Sequence, residues 1–225
     1  MSKKMVLIGL VVVFAVFSEL ITPWIASYWL DSALTKLMPA QQHHVSARSF
    51  PGIALWQGHF DGVEAVAGDA RLDGLNLREV RIKIADARLN MGHLVSDRQV
   101  TVRKVRELDV VIRVTEKDLA EYLGKKVKEV KNPTVKILAD KIQIRSDIDL
   151  GLLKLAVGVD GKVIGDAQSI RFQSDHLEVK NTGGINFGAL LAEIPLVDLT
   201  RLPFQVAVRK VVMEPGFLTI YADNR

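Results

Sequence analysis

The sequence predicts an α+β domain: a strongly curved, mainly antiparallel β-sheet wrapped with short helices and preceded by an N-terminal hydrophobic helix. Three observations predict it. Apolar residues alternate with polar ones over long stretches, as in Leu108, Val110, Ile112 and Val114, the period of a strand with one buried face. Turn dipeptides stand between such runs, at Asp61-Gly62, Asp73-Gly74, Asp160-Gly161 and Pro215-Gly216. The helical signals after residue 40 are short, at 115–124 and 186–191, so helices lie on the sheet rather than alternate with its strands.

The chain opens with Lys3-Lys4 and the apolar run Met5–Phe17, which match the first two regions of an export signal. That run is shorter than the roughly 20 residues of a spanning helix. Continued past Glu19 to Leu30 it becomes long enough, and no Ala-x-Ala cleavage site follows Phe17. The preferred reading is an uncleaved anchor at residues 1–30, with the N-terminal lysines inside and a body, residues 31–225, outside the cytoplasmic membrane. The alternative is a secreted or periplasmic protein released by signal cleavage. Leu20–Met38 continues as an amphipathic helix, with Leu20, Trp24, Tyr28, Leu34, Leu37 and Met38 broadly on one side and a break expected at Pro23. Trp24 and Tyr28 suit a membrane interface and the core of a small domain equally.

Strands follow. Residues 45–60 are extended and irregular around Phe50-Pro51-Gly52. Leu75–Leu89 begins with Val80, Ile82 and Ile84 on one face, then slips phase to Ala85, Ala87 and Leu89, as a bulge would cause. After the Leu108–Val114 strand, Thr115 and Asp118 form a loose capping box for a helix expected to stop at Gly124, with Leu119, Tyr122 and Leu123 on one stripe. Val135–Ile144 reads as a hairpin, and Leu153–Phe172 as a second hairpin turning at Asp160-Gly161. Asn186–Leu191 starts a short helix, Pro195–Arg201 connects, and Leu202–Val212 is a strand that turns at Pro215-Gly216. A helix–strand–turn–strand theme thus recurs weakly at 20–60, 115–145 and 186–222. No low-complexity linker interrupts residues 40–225, which predicts one domain over 31–225.

Composition bounds the chemistry. Of 225 residues none is cysteine, which excludes disulfides, thiolate metal sites and a lipid-modified cysteine without fixing the compartment. The net charge of +4 matters only where cations concentrate. The nucleophile elbow, phosphate loop, dinucleotide fingerprint and His-Glu-x-x-His motif are all missing from the sequence. His43, His44, His59, His93 and His176 are scattered, so no metal, no cofactor and no catalytic residue is expected. Two basic stretches, Arg103, Lys104 and Arg106 in a strand and Lys125 and Lys126 after the central helix, suit anionic headgroups or simply solvated faces. Nucleic acid is not an expected partner, since aromatics do not interleave with these runs. Apolar residues on the short helices and long strands, Leu119, Leu123, Leu190, Leu191, Phe204, Val206, Val208 and Phe217, are expected to point inward. There they fill a core or line an elongated apolar cavity for an acyl chain.

These segments resemble the LmeA-type phospholipid-binding proteins of bacteria. The similarity is carried by the N-terminal apolar segment, DGLNLREVRIKI (Asp73–Ile84), RVTEKDLAEYL (Arg113–Leu123) and LTRLPFQVAVRKVVMEPGFLTI (Leu199–Ile220). The resemblance implies an extracytoplasmic fold like the tubular lipid-binding proteins and phospholipid binding in the upkeep of envelope lipid or glycolipid. It supplies no catalytic residues. The expectation is therefore a non-enzymatic, membrane-anchored lipid-binding protein. Trp24, Tyr28 and Trp56 would stand at the mouth or membrane face, Leu119, Leu123, Leu190, Leu191, Phe204 and Phe217 along the acyl chain, and the five cations near the headgroup. The alternative is an envelope adaptor that binds another protein through a sheet edge.

Overall fold

The structure, a computed structural model, describes residues 3–128, 130–149, 154–179 and 193–225, with side chains at all of these except 3–18, 20, 148, 149, 154, 155, 176–179 and 201. The elements in order are α1 (Lys3–Leu37), β1 (Gln42–Arg48), a 3-10 turn (Gly52–Gln57), β2 (His59–Leu72), β3 (Leu75–Leu89), α2 (Met91–Ser96), β4 (Val102–Thr115) and α3 (Glu116–Lys126). They continue with β5 (Val130–Ile137), β6 (Ile142–Asp149), β7 (Lys154–Gly165), β8 (Ser169–Val179), β9 (Glu193–Asp198), a 3-10 turn (Leu199–Arg201), β10 (Ala207–Glu214) and β11 (Phe217–Asp223). One sheet has the order β1-β2-β3-β4-β11-β10 and the other β5-β6-β7-β8-β9. The architecture is α+β and mostly antiparallel, with one sheet strongly curled and few short helices.

The backbone clusters into two compact units. The first comprises residues 1–39, 43–66 and 81–109; the second comprises 40–42, 67–80 and 110–225. The first unit packs Ala26, Leu30 and Ala33 of α1 against Leu55, Phe60, Val63, Ala87, Leu89 and Leu94. Alanine at positions 26, 33, 47 and 87 lets helix and strands approach closely, and the large side chains fill between them. The second unit holds α3 and β5–β11. Val135, Ile137, Ile142, Ile144, Val157, Val159, Val163, Ile170, Phe172, Ile194 and Leu196 supply its core from the five-stranded sheet. Both edge strands of that sheet carry a proline, Pro133 in β5 and Pro195 in β9, positions where a missing N–H costs no ladder bond.

Several expectations hold. Asp73-Gly74 turns β2 into β3 with both residues at positive φ, 50° and 88°. The phase slip in β3 is present, with Asp86 at φ 51° between Ile84 and the buried Ala87 and Leu89. Thr115 and Asp118 form a reciprocal capping box.

Others need correction. Asp160-Gly161 is not a turn: β7 runs through it, and the pairing with β8 shifts register there. A Cβ at Gly161 would lie 2.2 Å from the Gln173 carbonyl oxygen, so the glycine is a close-approach residue at a bulge. Burial of Val157, Val159, Gly161 and Val163 keeps period two across the dipeptide, and the hairpin closes instead at 166–168. Asp61-Gly62 likewise lies inside β2, where Asp61 accepts a hydrogen bond from Phe50 N–H at 2.7 Å. Helix α3 continues past Gly124 to Lys126, because Gly124 serves contact rather than termination: a Cβ there would sit 3.3 Å from Pro133 Cγ. Pro23 does not break α1, and Ser27 Oγ donates to the Pro23 carbonyl at 2.7 Å. Residues 193–198 form a strand, and β10 starts at Ala207 rather than Leu202. The helix expected at 186–191 lies outside the described residues.

Candidate functional site

Helix α3 exists because Thr115 breaks the strand pattern of β4 and caps the next turn. Glu116 and Asp118 sit at the positive end of the helix, and Lys125 and Lys126 at the negative end. Its one apolar stripe, Leu119, Tyr122 and Leu123, is buried, the two leucines to 4% and 3% exposure. The stripe faces Val135, Ile142, Ile144, Val163, Phe172 and Leu196. Hydrogen bonds tie the helix to both edge strands of the five-stranded sheet. Ile137 N–H of β5 donates to Glu116 Oε1 at 2.8 Å, and the Tyr122 hydroxyl donates to the Pro195 carbonyl of β9 at 2.6 Å. Burial, and then the Asp73 carboxylate, push the Tyr122 phenol above its ordinary pKa, which keeps it a donor. Helix α3 is therefore a strap across an aliphatic sheet face.

Packing beneath the strap is incomplete. Two voids of about 10 Å³ each remain, one among Leu119, Leu123 and Phe172, the other among Leu123, Val130, Val159 and Ile194. Each is about the size of one water probe, against roughly 300–1,000 Å³ for a small-molecule pocket. Neither void has room for an acyl chain in this structure. A recess of about 380 Å³ over β5–β7 is of another kind, lined by Asn132, Thr134, Arg145, Asp147 and their neighbours. Thr134, Arg145 and Gly158 share one register row on the face of the sheet opposite Ile144, and polar and apolar groups line the recess about equally.

In the first unit, α1 is two-sided. Thr22, Ala26, Leu30, Ala33 and Leu34 are buried, while Ile21, Trp24 and Tyr28 form an exposed stripe, with Trp24 72% and Tyr28 56% exposed. Trp24 and Tyr28 are thus not core residues. The buried stripe contains alanine and threonine, which a reading by large apolar residues passes over. Trp56 is 49% exposed, stacks edge-on against Trp29 at 5.5 Å, and donates through Nε1 to Thr22 Oγ1 at 3.3 Å.

The remaining expected residues scatter. Phe204 is half-buried in the stretch before β10. Phe217 does not point inward: it is exposed at the start of β11, with the Arg113 guanidinium 5.5 Å from its ring centroid. Leu190 and Leu191 lie outside the described residues. Arg103, Lys104 and Arg106 are exposed on β4 in the first unit, and Arg106 lies 3.7 Å from Glu107 and 4.0 Å from Asp86. Lys125 and Lys126 belong to the second unit, and Lys125 lies 4.0 Å from Glu121. The headgroup cations thus divide between two units. Sequence reasoning missed Tyr122 and Glu116 as the ties of the strap, since nothing local reveals a partner 73 or 21 residues away.

Among the described residues, no group of histidines and carboxylates is placed to hold a metal ion, and no helix is long and apolar enough to cross a membrane. No curated protein and no solved structure matches the chain. A family model does match, over residues 19–223, which takes in α1 from Glu19, the whole of α3 and both sheets. With the match covering nearly the whole chain, this protein belongs to the LmeA-like phospholipid-binding family.

Proposed function

We propose that this chain is a non-enzymatic phospholipid-binding protein of the bacterial envelope, acting outside the cytoplasmic membrane. It holds one or two acyl chains between α3 and the inner face of β5–β9. The observation that carries the reading is the strap: an aliphatic sheet face covered by one short helix, imperfectly filled, in a chain of a phospholipid-binding family. Each methylene transferred from water contributes about 0.8 kcal/mol. A partly enclosed chain therefore offsets the contacts that Leu119 and Leu123 give up when the helix lifts. The fold this implies is of the tubular lipid-binding kind, with the cavity opening on loading.

Lys3-Lys4 and the apolar run Met5–Phe17 support an N-terminal anchor with the body on the far side of the membrane, and lipid handling in envelope maintenance follows from that position. The test is mass spectrometry of the full chain purified in mild detergent, in native form and after organic extraction. A stoichiometric phospholipid that exchanges with liposomes is the expected result. Folded protein that carries no lipid and takes none up would overturn the reading and favour an adaptor that binds through a sheet edge.

A further inference from the structure

We propose that the first unit carries a second membrane contact, separate from the apolar N-terminal run. It is a ledge of Ile21, Trp24 and Tyr28 on α1 with Ile53 and Trp56 on the 3-10 turn and Phe50 just before it, and it seats in the headgroup region of an anionic phospholipid bilayer. Six of the nine large hydrophobic side chains exposed among the described residues fall on these two short segments. That concentration is what distinguishes an interaction surface from scattered exposure. Positions 21, 24 and 28 share one helix face, and 53 and 56 lie one 3-10 turn apart.

The two segments are held to each other. Gly52 N–H donates to Glu19 Oε1 at 2.8 Å, and Trp56 Nε1 to Thr22 Oγ1 at 3.3 Å. Phe50, 84% exposed, is fixed through its N–H on Asp61 Oδ2. These bonds order the carboxylates of Glu19 and Asp61, which keep their charge. One cation stands beside the ledge: the Arg98 guanidinium lies 5.7 Å from the Tyr28 ring centroid and donates to Ser32 Oγ at 2.6 Å. Tryptophan and tyrosine with an apolar body and a polar tip, beside a cation, suit the bilayer interface rather than its hydrocarbon centre. The choice of a phospholipid bilayer as occupant rests on the proposed function, but the geometry of the ledge does not.

The sequence has no cysteine, so one introduced thiol gives one labelled site. Phe50→Cys and, separately, Ile53→Cys carry a polarity-sensitive nitrobenzoxadiazole dye in the full chain, reconstituted into vesicles of phosphatidylglycerol and phosphatidylcholine. Both dyes are expected to brighten and shift to the blue relative to the same dye conjugated to free cysteine in buffer. Trp24→Asp should reverse that shift at Ile53→Cys, and Arg98→Gln should weaken it in anionic vesicles more than in pure phosphatidylcholine. Far-ultraviolet circular dichroism checks each variant, and two label sites guard against one that misfolds.

Dyes that stay water-like at both sites overturn the ledge. So does a shift indifferent to Trp24→Asp, which would trace it to nearness of the N-terminal run alone. Mass spectrometry of the same vesicle-eluted protein separates the two proposals. A retained phospholipid with water-like dyes removes the ledge and leaves the lipid site standing. Shifted dyes without any retained lipid do the opposite.

Discussion

Two helices of this molecule lie on strands, and they treat their aromatic residues in opposite ways. Helix α3 hides its whole apolar stripe, Leu119, Tyr122 and Leu123, and spends its polar groups on the two edge strands of a sheet. The second half of α1 buries alanines together with Leu30 and Leu34 and presents Trp24 and Tyr28 outward. On the proposed function, the difference is between enclosing a lipid and touching a lipid surface. A seal must exclude water and still come loose, which favours aliphatic packing held by a few hydrogen bonds. A surface contact must tolerate water when empty, which favours amphipathic rings.

Substitutions can break that contrast, and the largest effects belong to the seal. Leu119→Asp or Leu123→Asp places an unpaired carboxylate under α3 and should cost more than about 3 kcal/mol, read as a lower urea midpoint. Trp24→Asp should stay within about 0.5 kcal/mol of the parent by the same measurement. Leu123→Ala widens both voids and should cost about 2–5 kcal/mol, while speeding uptake of a fluorescent phospholipid. Tyr122→Phe removes the tie to Pro195 at about 1 kcal/mol and should quicken lipid exchange without changing which lipid is bound.

The smallest expected effect is on the alkaline limb of stability. In the folded state the Tyr122 pKa lies above the ordinary 10.0, so its contribution is fully present below pH 10. Above that the unfolded chain releases the proton first, and stability falls as pH rises through the folded value. Thermal melts of the parent and of Tyr122→Phe between pH 9 and 11 should converge as that contribution disappears.

The sequence made α3 legible because its signals are local: a capping hydroxyl and carboxylate three apart, and a stripe at helical spacing. The hairpin at Asp73-Gly74 was legible for the same reason. Asp160-Gly161 misled because the identical dipeptide sits in mid-strand opposite an extra residue, Asp175, of β8; the unbroken alternation from Val157 to Val163 was the discriminating signal. Gly124 misled similarly, since the residue that crowds its Cβ position, Pro133, belongs to the next strand. What covers the sheet was readable, whereas how completely it is covered was not, because a void is set by the packing of six or more side chains from separate strands. The outward turn of Trp24 was equally hidden, since it depends on alanines 26 and 33 filling the inner face.

The central claim is that acyl chains lie under α3, and photocrosslinking tests it directly. The full chain, in vesicles containing a phospholipid with a diazirine midway along one acyl chain, is irradiated, and the adducts are mapped by peptide mass spectrometry. The account predicts adducts on the α3 peptide containing Leu119 and Leu123 and on the β6 peptide containing Ile142 and Ile144. Adducts confined to residues 21–28 and 50–56, with α3 and β6 unmodified, would contradict it.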